Sequence, residues 1–132
     1  MKIIICVLIL SCIFISCKKD KTTDSPLVGR WEWFKSIKGM GFTITTPQNT
    51  GKTWSLTFGG DFNCSQAGDL NAATNGTYSL TEAILDSSPY SFINVSFFVP
   101  AEPFSYNFIS SDTLEISNGS MEGQNHFFVR GN

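Results

Sequence analysis

From Leu27 to Arg130 the chain is written in short runs in which apolar and polar residues alternate, each run closed by glycine, proline, asparagine or aspartate. A period of two sends successive side chains to opposite faces of an extended strand. Lys52–Phe58 shows it most clearly: Trp54, Leu56 and Phe58 fall on one face, Thr53, Ser55 and Thr57 on the other. The same alternation predicts a first strand over Gly29–Lys38, with Trp31, Trp33, Lys35 and Ile37 on one face and Arg30, Glu32, Phe34 and Ser36 on the other. Further strands are expected at Phe62–Gln66, Gly76–Leu80, Tyr90–Val99, Phe104–Ile109, Thr113–Ser117 and Asn125–Arg130, with a fragment around Ala83–Leu85. Gly59-Gly60-Asp61 and Ser110-Ser111-Asp112 carry the chemistry of tight connections. Phe42–Gly51 and Ala67–Asn75 are expected as loops, the first covering one end of the fold.

Eight or nine short strands in series with no convincing helix predict an all-β domain, either a sandwich or an antiparallel up-and-down barrel. Closure into a barrel removes the unpaired sheet edges that invite aggregation. Eight strands leave an interior filled by side chains or just wide enough for one small ligand. Aromatic residues make up 14% of the chain, twelve of them phenylalanine, so the core is expected to be built largely of rings.

The region before Leu27 has a different composition. Lys2 precedes an apolar run from Ile3 to Ile15, the length of a signal-peptide core and short for a bilayer span. The run ends in Phe14-Ile15-Ser16-Cys17, a small residue before cysteine. Ile9-Leu10-Ser11-Cys12 fits the same pattern less well, because cleavage there leaves Ile13-Phe14-Ile15 at the new terminus. The reading divides the chain into a signal peptide (1–16), a lipidated Cys17 with a polar tether (17–26) and one folded domain (27–132). Cys6 and Cys12 leave with the signal, so Cys64 has no intramolecular disulfide partner.

From Leu27 onward there are five Lys or Arg against nine Asp or Glu, a net charge of −4 with the acids scattered. Nucleic-acid binding requires a basic patch, and none is visible. Catalytic chemistry is equally thin. His126 is the single histidine and reads as an ordinary strand residue. Cys64 has no neighbouring base to activate it. Zinc needs several His or Cys ligands, which the mature chain does not supply. Asp69-Leu70-Asn71 lacks the spacing and closing Glu of a calcium loop. No enzyme activity, metal or cofactor is expected, and the domain is expected to be a monomer.

Several of these segments together carry a family resemblance. Phe14-Ile15-Ser16-Cys17 resembles the lipobox of bacterial lipoproteins, which implies cleavage before Cys17 and acyl chains on its thiol. Gly29-Arg30-Trp31, Thr53–Phe62, Gly76-Thr77-Tyr78-Ser79-Leu80, Asp112–Ile116 and Phe127-Phe128-Val129-Arg130 follow one another as in the lipocalin-like domain lipoproteins of Gram-negative bacteria, and more distantly the lipocalins. The resemblance implies a lipocalin-like barrel anchored in the cell envelope, at the outer membrane. It also implies that Gly29, Trp31 and Arg130 form a closure in which the last strand's basic residue lies across the first strand's indole. A barrel of this kind offers an interior for a small hydrophobic ligand, with Trp33, Trp54, Phe62, Tyr78 and Phe108 as candidate lining; the alternative is that the same rings simply fill the core. The alternative is a surface module that meets glycan or protein through aromatics in the loops Phe42–Gly51 and Ala67–Asn75.

Overall fold

The computed structural model describes residues 24–39, 43–98, 102–119 and 123–132. Nine strands follow in chain order: β1 (Gly29–Lys38), β2 (Thr43–Thr45), β3 (Ser55–Phe58), β4 (Asn63–Ala67), β5 (Thr74–Leu85), β6 (Ser88–Val95), β7 (Phe104–Ser110), β8 (Thr113–Ser117) and β9 (Gln124–Arg130), with one helical turn, α1 (Pro47–Thr50), between β2 and β3. Every pairing is antiparallel, and from β3 onward each strand lies beside the next in sequence. β1 closes the circle by pairing with both β3 and β9. The result is an eight-stranded barrel, β2 being an extra strand laid against the upper part of β1.

The alternation seen in the sequence places the core. Leu56, Phe58, Ile93, Val95, Leu114, Ile116 and Phe128 are buried and face one another across the barrel. β1 departs from simple alternation. Trp33 pairs with Phe128 and Lys35 with Phe127, so Phe34 is an extra residue opposite nothing, a β-bulge. Beyond it the faces exchange. Ser36 turns inward, 2% exposed, and the expectation that Lys35 and Ile37 share the face of Trp33 is corrected. Lys35 instead lies over the Phe127 ring at 4.5 Å.

Other boundaries also differ from expectation; the strand expected at Tyr90–Val99 begins at Ser88 and ends at Val95. The Phe42–Gly51 stretch is not all loop: Thr43–Thr45 pairs with Ser36–Lys38, and Thr46 then caps α1 in a reciprocal box with Asn49. Lys52–Trp54 lies outside β3. There the Thr53 carbonyl accepts from Asp69 and Leu70 N–H, while Asp69 Oδ2 accepts from Thr53 N–H and Oγ1–H. Gly76–Leu80 and Ala83–Leu85 are parts of one twelve-residue strand, because Tyr78 through Leu85 pair without interruption with β6. The tip of that hairpin leaves Ile84 and Leu85 exposed.

One end of the barrel is closed by the residues before β1. Leu27 is buried, and its carbonyl accepts the Trp31 indole N–H at 2.7 Å. The Arg130 guanidinium lies 4.3 Å from the Trp31 ring and donates to the carbonyls of Val28 (3.2 Å) and Pro26 (2.7 Å). Gly29 has φ +131°, and a Cβ there would stand 2.9 Å from Arg130 Nη1. The positive φ favours glycine there, and a side chain would also displace the guanidinium from its place.

Candidate functional site

At the opposite end, between the β4–β5, β6–β7 and β8–β9 connections, the barrel opens into a cavity of about 430 Å³. That volume lies within the range of small-molecule sites. Its apolar walls are the rings of Trp33, Trp54, Phe97, Phe98 and Phe104 with Ile116. Its polar groups are Ser36, His126 and neutral hydroxyl and amide side chains such as Thr45 from β2, Gln66 from β4 and Asn71 from the β4–β5 connection. Among the described lining residues none carries a carboxylate, ammonium or guanidinium. A second hollow, of about 500 Å³, lies between β6, β7 and β8 with mostly hydroxyl and amide lining and includes no buried unpaired donor.

The polar residues of the open end form a chain. Trp33 Nε1–H donates to Ser36 Oγ at 2.7 Å. Ser36 Oγ is in turn 2.7 Å from His126 Nδ1. The His126 ring meets Trp54 edge to face, centroids 5.0 Å apart, and Trp54 meets Phe128 at 4.9 Å. Trp54 is 7% exposed, and its indole N–H has no hydrogen-bond partner among the described residues.

Burial pushes the His126 pKa down from 6.5 to about 4, so the ring is neutral at physiological pH. The network then assigns its tautomer. Ser36 Oγ already accepts from Trp33, and its own O–H has one acceptor in reach, His126 Nδ1. Nδ1 is therefore the bare nitrogen and Nε2 carries the hydrogen. As a nucleophile–base pair this arrangement is poor: the hydroxyl is buried, the imidazole is a weak base, and among the described residues no carboxylate hydrogen-bonds the ring.

The lining residues expected from the sequence separate into two groups. Trp33 and Trp54 line the cavity. Phe62, Tyr78 and Phe108 do not. Phe62 sits at φ 64° in the β3–β4 turn against the Tyr78 ring at 5.5 Å, and Tyr78 Oη donates to the Gly59 carbonyl. Phe108 packs on Trp31 at 5.9 Å, at the closed end. Strand parity shows that a ring points inward; it does not show at which level of the barrel it lies. Gly29, Trp31 and Arg130 meet at that closed end, as described above. Cys17 lies outside the described residues. Cys64 is buried among the core residues, its thiol pushed up to about 11 by desolvation.

Sequence reasoning passed over Ser36 and read His126 as an ordinary strand residue. His126 alternates with Phe128 and Arg130, which marks the inward face of β9, and that signal was available. Ser36 had none, because the bulge that turns it inward is set by pairing with a strand ninety residues away. Among the described residues no group of His, Cys, Asp or Glu is arranged to hold a metal ion. The chain matches no protein-family model, no curated protein and no solved structure.

Proposed function

We propose that this protein is a lipoprotein of the Gram-negative cell envelope, anchored through acyl chains on Cys17, whose barrel takes up a small and largely apolar ligand at its open end. The observation that carries the binding reading is the cavity of about 430 Å³, walled by rings and open on one side, at the end away from the Trp31–Arg130 closure. A barrel filled by its own rings has no such space. The anchoring reading is supported by the apolar run Ile3–Ile15 and Ser16-Cys17. Acyl chains in the plural hold a protein on a membrane far better than one chain does. The role is carriage or sensing without turnover.

Two experiments test the two halves. Cys17→Ala is expected to move the protein from the membrane to the soluble fraction; unchanged fractionation overturns the anchor. Titration of the purified protein with naphthalene derivatives is expected to shift the resonances of Trp33 and Trp54 and leave Trp31 unmoved. If no such ligand shifts them up to its solubility limit, carriage is wrong and surface contact with glycan or protein becomes the better reading.

A further inference from the structure

The exposed apolar side chains of this protein gather at one end. Of the seven exposed large hydrophobics among the described residues, five (Ile84, Leu85, Tyr90, Ile109 and Val129) lie toward the end closed by Leu27 and Arg130. β5, β7 and β9 run toward that end and β6 starts from it. There β5 and β6 leave the barrel. β4 pairs with β5 only as far as Thr77, and β7 pairs with β6 only from Ser91 to Ile93. Among the described residues, Ser79–Leu85 and Ser88–Tyr90 pair with each other and with no third strand. The arm so formed holds about 20 Å of strand beyond Tyr78. Asp86 and Ser87, both at positive φ, turn its tip. Ile84 stands beside Pro89 on one face of the tip, and Ala83 beside Tyr90 and Leu85 beside Ser88 on the other. The tip is therefore apolar on both faces. A protein surface covers one face of such an arm; a lipid interface receives both.

The chain's point of entry is the second observation. Leu27 enters at this same end, and Cys17 stands ten residues before it. Ten residues at full extension reach at most about 35 Å. An anchor on so short a chain keeps this end of the barrel toward the lipid.

Resting on the reading of Cys17 as a lipid anchor, we propose that the β5–β6 arm is a second membrane contact: Ile84, Leu85 and Tyr90 enter the boundary between headgroups and acyl chains of the bilayer that holds the anchor, and the open end of the barrel faces the aqueous side. A tyrosine suits that depth, its ring apolar and its hydroxyl wet. The Asp86 carboxylate at the tip limits penetration, because a charge is costly among acyl chains. Insertion this shallow is weak alone and is effective because the anchor makes it intramolecular. The arm carries Glu82 and Asp86 and no lysine or arginine, so apolar contact and not charge drives it.

The test uses the mature lipidated protein, isotope-labelled, in phosphatidylcholine nanodiscs containing doxyl lipid. The amide signals of Ile84, Leu85 and Tyr90 are expected to broaden, and to broaden more with the doxyl group near the headgroup than near the chain end. Those of Leu70 and Asn71, in the β4–β5 connection at the open end, should stay sharp. Ile84→Ser combined with Leu85→Ser should bring the arm down to the level of Leu70 and Asn71 while the protein remains lipidated and disc-bound. Both side chains are exposed, and an unmoved Trp31 indole signal reports that the barrel is intact. Broadening of Leu70 and Asn71 in place of the arm puts the open end on the bilayer and overturns the proposal. An arm that stays sharp in a lipidated, disc-bound protein overturns it while leaving the anchor reading intact. Arm signals that shift with protein concentration and ignore the lipid overturn it in favour of a second copy pairing with the free strand edges. Equal broadening in the serine variant, or strongest broadening from the chain-end label, overturns the side-chain contact or its depth. If mass spectrometry of the mature protein finds no acyl chains on Cys17, the anchor reading falls and this proposal falls with it.

Discussion

Acid should destabilise this protein through a single imidazole as pH falls below about 6.5. His126 is held neutral, with its pKa pushed by burial from 6.5 to about 4. The unfolded chain therefore takes up a proton first as pH falls. Stability is complete above about pH 7 and is lost as pH drops from 6.5 toward 4; below that both states are protonated and the loss stops. At 1.36 kcal/mol per pH unit the total is about 3 kcal/mol, of which about 2 kcal/mol is already gone at pH 5. That is a large share of the stability of a domain this size, and it corresponds to a fall in Tm of roughly 8 °C. Asp61 and Asp69 do not obscure the effect. Asp61 is lowered by its hydrogen bonds from Asn63, and Asp69 by those from Thr53, so their losses set in only as pH falls through the ordinary carboxylate range, below the interval assayed. The assay is thermal unfolding near pH 7 and pH 5, alongside a proton NMR titration of the imidazole, which is unambiguous because the chain has one histidine. His126→Gln should flatten the dependence between those two pH values. An imidazole that titrates near 6.5 in the folded protein, or equal stability at the two pH values, would refute the buried neutral ring and with it the tautomer assigned above.

The closed end is expected to behave as a coupled unit. Arg130→Met should lower stability by about 2 kcal/mol through loss of the indole contact and the two carbonyl bonds. Gly29→Ala should cost about 1–3 kcal/mol through its positive φ and its approach to Arg130. In the double variant the costs should sum to less than the singles, because the steric part of the glycine change needs the guanidinium; strict additivity in denaturant unfolding would show that the two do not touch. Ser36→Ala strips the acceptor from Trp33 and the donor from His126, and should cost about 1–3 kcal/mol by the same assay.

Much of the barrel was legible because its signals are local. Trp54, Leu56 and Phe58, or Phe104, Tyr106 and Phe108, announce a face within a few residues, and Gly59-Gly60-Asp61 announces a turn. The division of the barrel into a closed and an open end was not legible in the same way. Tyr78 and Trp54 are both inward rings, yet Tyr78 Oη is tied to the Gly59 carbonyl while Trp54 faces the cavity. Their heights depend on strand stagger, which is a property of pairing partners. The β5–β6 hairpin was misread for a related reason. Thr81–Ser88 is rich in turn-forming and polar residues, but pairing from Tyr78 to Leu85 overrides them.

The bulge at Phe34 is where local reading and long-range pairing conflict most directly, and it yields a prediction that separates them. Deleting one residue from the middle of a strand ordinarily sends every later side chain to the other face. Here the extra residue is Phe34 itself, unpaired between Trp33, which meets Phe128, and Lys35, which meets Phe127. Removing it makes the alternation regular: Trp33 inward, Lys35 outward, Ser36 inward. On the other edge of β1, Gly29–Glu32 pairs with β3, the Trp33 N–H donates to the Trp54 carbonyl and Ser36–Lys38 pairs with β2, so among the described residues no partner there faces Phe34 itself. Deletion of Phe34 should therefore leave a folded barrel in which Ser36 still meets His126, losing about 1–2 kcal/mol from the Phe34–Phe127 contact and the local twist that the bulge supplies. The reporter is again the imidazole, which should still titrate near 4. Deletion of Ile37 instead falls beyond the bulge, where β1 pairs regularly with both β2 and β9, and should unfold the upper part of the barrel. If removal of Phe34 is as damaging as removal of Ile37, or restores a titration near 6.5, then the bulge is not what brings the serine to the histidine.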